Sequence, residues 1–172
     1  MSPLVRPLPA RSWALYASAA TVNFTAKEDY GLRAVLDLAA QGGSGGGPIQ
    51  TRDIARRQRI PEQFLEQLLA ALRRAEVVRS TRGAGGGYSL AARPDQITVG
   101  QVLRALSGPF VPPELVEPGP HDTTESLVVR GVWNHLREAI RGVADHTSLQ
   151  DLLDRRAARL GERDTSGYMM NI

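Results

Sequence analysis

Glycine and proline cut this chain into short pieces, and nothing else in it narrows the fold so far. GGSGGGP (42–48), GAGGG (83–87) and GPFVPPELVEPGP (108–120), the last with five prolines, each oppose a continuing helix. In a helix interior glycine costs about 1 kcal/mol and proline about 3 kcal/mol relative to alanine. Regular structure is therefore confined to the stretches between these breaks, and most of those stretches carry their own start signals.

Thr25 with Glu28 makes a capping-box pattern ahead of Leu32, Val35, Leu36 and Ala39, which predicts a helix over 26–41. Thr51 is expected to cap a short second helix holding Ile54 and Ala55, with Arg52, Arg56 and Arg57 facing outward. Pro61 suits the first position of a third helix, where its missing N–H would lack a partner anyway. In that helix Phe64, Leu65, Leu68, Leu69 and Leu72 share one face, while Gln63, Glu66, Gln67 and Ala70 share another that is free of core duties. Residues 77–81 and 88–90 read as two short strands joined by the glycine tip. Thr98 caps a fourth helix carrying Val99, Val102, Leu103 and Leu106 and ending at Gly108. A long helix over about 123–145 sets Val129, Trp133, Leu136, Ile140 and Val143 at alternating spacings of four and three, a heptad-like seam that predicts a dimer helix. A short last helix is expected over 149–159.

With 172 residues, 42% of them hydrophobic, the chain can bury one core and carry an appendage. No apolar run nears the roughly 20 residues of a membrane span, so no membrane partner is expected. Cysteine is absent, which removes disulfides, thiolate metal sites and cysteine nucleophiles, and suits the expected cytoplasmic location. No Ser-His-Asp order, carboxylate pair or phosphate loop stands out, so the chain reads as a non-enzyme.

The charge is unevenly placed. Of 21 basic residues only Lys27 is not arginine, and the whole chain carries a net +3. Between Ile49 and Arg82 alone there are eight arginines against Asp53, Glu62, Glu66 and Glu76, a local excess of +4. That is the electrostatic footprint of a nucleic-acid binder. The tip RSTRGAGGGYSL (79–90) then has two readings, a nucleotide cradle or a DNA-contacting wing. Gly83, Gly85 and Tyr88 miss the G-x-G-x-x-G spacing, no lysine follows, and no helix starts there, which disfavours the nucleotide. A wing accounts for both features: without Cβ atoms the tip fits a narrow groove, and the Arg82 guanidinium suits the negative potential of a minor groove.

Helix, short helix, turn, longer helix and hairpin give a mainly α fold with a small β-hairpin wing, a winged helix-turn-helix with a long C-terminal dimerisation helix. VNFTAKEDYGLRAVLDLA (22–39), FLEQLL (64–69), VRSTRGAGGGYSLA (78–91) and ITVGQVLRAL (97–106) carry the next step. On these motifs, residues 22 to about 158 resemble the bacterial Rrf-type family of transcription regulators. The resemblance implies a dimer reading a palindromic double-stranded operator, most readily as a repressor. It places Gln63, Glu66 and Gln67 in the major groove and Arg82 in the minor groove, with Gly85 and Gly86 shaping the tip. Arg52, Arg56, Arg57, Arg73 and Arg74 are the expected phosphate contacts.

The organisation expected is a disordered extension (1–21), a DNA-binding domain (22–107), a Pro-rich loop (108–122), dimerisation and short C-terminal helices (123–160) and a tail (161–172). Family members that hold an iron-sulfur cluster do so through cysteines before the long helix, and 108–126 has none. Glu114, Glu117, His121, Asp122, His135 and Glu138 show no ligand spacing strong enough to replace them, so no metal or cofactor is expected. The alternative function is a protein-interaction module on the same fold, whose DNA binding depends on a partner protein or small effector.

Overall fold

The structure, a computed structural model, describes residues 25–42, 47–109, 117, 119 and 122–168. The extension 1–21, most of the Pro-rich loop with Glu114 and His121, and the last residues of the tail lie outside the described residues.

Among the described residues six α-helices and one hairpin follow in the order α1 (Ala26–Gly42), α2 (Thr51–Gln58), α3 (Glu62–Arg74), β1 (Val78–Thr81), β2 (Gly87–Leu90), α4 (Val99–Ser107), α5 (Thr124–Ala144) and α6 (Leu149–Tyr168). None of these helices is long and apolar enough to cross a membrane. The fold is mainly helical with a two-stranded wing, a winged helix-turn-helix followed by a long C-terminal helix.

Local chemistry explains most of the boundaries. Ahead of α1 the Thr25 hydroxyl and N–H both donate to Glu28 Oε2, at 2.6 and 2.7 Å. At α4 the full capping box forms: Gln101 N–H donates to Thr98 Oγ1 at 3.2 Å, and Thr98 N–H to Gln101 Oε1 at 2.9 Å. Thr123 caps α5 by accepting from Ser126 N–H at 3.2 Å.

Three expected boundaries need correcting. Thr51 is the first residue of α2 rather than its cap; Gln50 holds that position, in extended backbone and without a side-chain cap bond. The Gln50 amide turns instead toward the wing, reaching Ala84 O at 3.4 Å. Pro61 sits one residue earlier than expected, just outside α3, and its carbonyl accepts from Leu65 N–H at 3.0 Å. The last helix runs to Tyr168 rather than stopping near Arg159, because a single glycine such as Gly161 lowers helix propensity without removing a backbone donor as proline would.

The core lies where α1, α2, α3 and α4 meet. Val35, Leu38, Ile54, Leu65, Leu68, Leu69, Leu72, Val78 and Val102 are fully buried there. Leu149, at the start of α6, is fully buried in the same cluster, so the chain returns to this core after α5. The wing strands pair antiparallel in the register Val78↔Leu90 to Thr81↔Gly87. Ile49 adds a rung on the other edge of β2 that local sequence patterns do not predict: its N–H and carbonyl exchange two 2.8 Å hydrogen bonds with Tyr88.

Candidate nucleic-acid interface

α3 divides as its sequence requires. Leu65, Leu68, Leu69 and Leu72 face the core, Phe64 is half-buried with its ring edge-on to Tyr30 at 6.0 Å, and Gln63, Glu66 and Gln67 are exposed. A row of side-chain amides and a carboxylate facing solvent offers donors and acceptors that match base edges: glutamine suits adenine, and a carboxylate accepts from the cytosine amino group.

The wing presents Arg79 and Arg82 to solvent. Its turn is closed by Gly86 N–H donating to Gly83 O at 2.9 Å, and Gly83 adopts φ 107, where a side chain would be strained. At Gly86 a Cβ atom would stand 2.3 Å from Thr81 O and 2.9 Å from Gly83 O, so the turn admits only glycine there. Gly85 differs: its φ is not positive, and a Cβ there would meet no atom within 4 Å.

The arginines predicted to meet phosphate separate into two groups. Arg52, Arg56, Arg73 and Arg74 are exposed, with Arg56 3.2 Å from Asp53 and Arg73 3.4 Å from the Ser80 hydroxyl of the wing. Such exposed contacts are weak and readily exchanged. Arg57 is exposed like the others, but its guanidinium is not free in solvent. Its guanidinium folds onto Asp37 of α1, with Nη2 2.6 Å from Oδ2 and Nε 3.1 Å from Oδ1, and the hydrogen bonds to Asp37 raise its pKa above the ordinary value. The Gln58 amide donates to the same carboxylate at 2.8 Å, and Arg33 donates to Gln58 O while lying over the Tyr30 ring at 5.4 Å. Asp37, Arg33 and Gln58 thus brace the end of α2 against α1, a role that sequence reasoning missed. The available signal was an aspartate inside the apolar stripe of α1, between Leu36 and Leu38.

A second buried carboxylate joins α1 to α4. Burial alone would raise the pKa of Glu28, but hydrogen bonds from Ser107, from Thr25 and from the backbone outweigh it and hold the group at about 2. It is a structural anion rather than a poised acid.

On α5 the seam residues Val129, Leu136 and Val143 are exposed, while Trp133 and Ile140 are half-buried. The bare apolar surface is wider than that seam, since Leu127, Val128 and Val132 are exposed too. Beside it, an open groove of about 690 Å³ runs between α1, α4, α5 and α6, lined by Leu32, Val99, Leu103, Ile140, Val143 and Leu152.

Two of the acids with metal-ligating chemistry are engaged otherwise. Arg130 holds Asp122 through a two-pronged pair, and the Asp122 pKa falls to about 2, chiefly through that hydrogen bond and one from Gly119 N–H. Glu138 lies 3.3 Å from Arg137 and 3.5 Å from Arg141. Among the described residues no group of three or more His, Cys, Asp or Glu side chains is placed to hold a metal ion.

Comparison with known proteins bears on the family and the fold. The family described as "Rrf2: Iron-dependent Transcriptional regulator" matches residues 24–155. The HTH-type transcriptional regulator CymR of Bacillus subtilis is 39% identical over 131 residues, covering 76% of this chain and 89% of that protein. The HTH-type transcriptional regulator IscR of Aliivibrio salmonicida is 33% identical over 152 residues, covering 87% of this chain and 89% of its own. Among solved structures, that of CymR, the global cysteine regulator of B. subtilis, superposes with a TM-score of 0.64 at 38% identity, covering 77% of this chain and 97% of that one. IscR of T. potens gives 0.63 at 36% identity, covering 78% of this chain and 88% of that one. The iron in the family's description finds no thiolate here, because the sequence has no cysteine, and the donor set does not fit a cysteine-ligated cluster.

Proposed function

The chain belongs to the Rrf2 family of transcriptional regulators, and from that premise we propose that it is a dimeric repressor that reads a palindromic operator without an iron-sulfur cluster. It is a DNA-binding regulator and not an enzyme. The observation that carries the finer reading is the division of α3, whose leucines are buried while Gln63, Glu66 and Gln67 are left to solvent.

In this reading α3 enters the major groove and the three polar side chains address base edges. Arg82 enters the adjacent minor groove, where the compact turn at Gly85 and Gly86 lets the backbone approach. Arg52, Arg56, Arg73 and Arg74 meet phosphates, and Arg57 holds α2 in place for them. The bare face of α5 supports two-fold pairing of copies through Val129, Trp133, Leu136, Ile140 and Val143, which sets two α3 helices against the two halves of a palindrome. Repression follows if the operator overlaps a promoter.

The test is enrichment of fragmented host genomic DNA on the purified protein at near-physiological salt, with Arg82→Ala and Glu66→Ala in parallel. Wild type should enrich a few fragments sharing a palindrome, Arg82→Ala should lose them, and Glu66→Ala should accept a broader set. Identical profiles for all three proteins would defeat the assignment.

The groove beside α5 favours a second reading, in which an apolar effector or a partner protein governs DNA binding. Its volume lies within the range of ligand pockets. Ile140 and Val143 line the groove and also belong to the seam, so an effector there would act on the same helix that pairs the copies.

A further inference from the structure

The long helix is fastened to the DNA-binding unit at one corner, and that corner is built with unusual economy. Asp145 follows the last residue of α5, and its Oδ1 accepts from Arg104 Nη1 of α4 at 2.7 Å. The carboxylate lies directly on Gly100 in the first turn of α4: a Cβ there would stand 1.9 Å from Asp145 Oδ1 and 3.0 Å from Arg104 Nη1. Alanine is the better helix former, so a glycine in this turn is explained by the approach of Asp145. Two backbone hydrogen bonds stitch the same corner, Val99 N–H to Thr147 O at 2.8 Å and Leu149 N–H to Ile97 O at 2.9 Å. Ala144 and Leu149 are buried on either side of it, whereas Val143, Val132 and Leu127 are 72%, 57% and 55% exposed.

α5 is therefore a lever of 21 residues, about 31 Å at 1.5 Å per residue, held by its C-terminal end. If copies pair along this helix, as proposed above, the angle at the corner fixes where each α3 lies relative to the two-fold axis. A rotation of about 10° there moves the far end by about 5 Å, which exceeds the rise of one base pair, ~3.4 Å. We propose that Gly100, Arg104 and Asp145 form a latch that sets the spacing of operator half-sites the protein accepts. These are positioning residues for DNA recognition that touch no base or phosphate, and they tune the distance between two reading heads rather than what each head reads.

The inference rests on the dimer reading, and its test separates the two. A duplex enriched by the wild-type protein is resynthesised as a set in which the segment between half-sites is shortened or lengthened by one to three base pairs. Binding to each duplex is measured for wild type, Gly100→Ala and Asp145→Asn, with the mass of each complex taken by sedimentation. Asp145→Asn keeps the shape of the side chain while removing its charge and one acceptor oxygen, so it stands as the mild variant beside the clash at Gly100. The expected result is a wild-type dimer with one sharply preferred spacing. Gly100→Ala should shift that optimum by about one base pair and Asp145→Asn should flatten the profile, each variant remaining dimeric and keeping its half-site sequence preference. Dimeric variants with the wild-type spacing profile would overturn the latch and leave the dimer standing. A wild-type complex holding one chain per operator would overturn the dimer reading, and the latch with it.

Discussion

Replacing Arg57 with alanine should damage the fold and leave the electrostatics of DNA binding nearly untouched, the reverse of what an arginine beside the recognition helix would ordinarily do. Asp37 keeps only 4% of its side chain exposed, and Arg57 supplies three of the hydrogen bonds that make its charge tolerable there. Removing one partner of a buried ion pair costs about 3–5 kcal/mol, because the other charge is left uncompensated. Two features lower the figure here: Arg57 is itself 33% exposed, and the Gln58 amide stays on Oδ1. A loss of about 2–3 kcal/mol is expected in urea unfolding at neutral pH. Deleting an arginine that neutralises one phosphate should flatten the plot of log affinity against log salt by about 0.9, or about 1.8 for the two copies of a dimer. Arg57→Ala should leave that slope unchanged. Arg56→Ala provides the contrast, since its side chain is 78% exposed and paired with the half-buried Asp53. It should change stability by less than about 0.5 kcal/mol while reducing the slope by the full amount. If Arg57→Ala unfolds like wild type and takes about 1.8 from the slope, the bracing role is wrong and the residue binds phosphate after all.

Three further outcomes are expected. Gly86→Ala should destabilise the wing by about 1–3 kcal/mol and weaken operator binding, whereas Gly85→Ala, whose Cβ meets nothing in the free protein, should be silent in thermal unfolding and weaken operator binding alone. Glu28 has its folded-state pKa depressed from 4.5 to about 2, so its contribution is fully present above about 4.5 and is lost as pH falls toward 2. Over that window wild type should lose on the order of 3 kcal/mol more than Glu28→Gln in acid unfolding, and parallel curves would count against the buried anion. Leu136→Glu on the bare face of α5 should halve the mass seen by sedimentation without shifting the circular dichroism spectrum, and an unchanged mass would remove this face from the interface.

Much of this arrangement is legible in the sequence because it is local. The Thr98 cap, the leucine face of α3 and the glycine tip each depend on neighbours a few residues away, and each is found in place. What the sequence does not reveal is long-range. Arg57 looks outward on a helical wheel of α2, and only the packing of α1 against α2 brings Asp37 within its reach, 20 positions earlier in the chain. The Ile49 rung depends on Tyr88 in the same way, and it displaces the expected cap at Thr51 because Gln50 is already committed to extended backbone. Gly100 carries no sign in the sequence that an aspartate 45 positions away will rest on it.

The Ile49 rung also bears on the entropy of recognition. A free two-stranded hairpin would have to order its whole length on entering a groove, at about 1–2 kcal/mol per residue for the backbone alone. Here the root is already ordered: Tyr88 is hydrogen-bonded to Ile49 ahead of α2, and Ala91 N–H donates to Val77 O at 3.0 Å at the base of the hairpin. In the proposed binding mode the exposed stretch from Arg82 to Gly85, itself held by Gly86 N–H on Gly83 O and by the Gln50 amide on Ala84 O, is what is left to settle on contact. The conformational penalty of binding is thereby limited to about four residues, and the remainder was met when the chain folded.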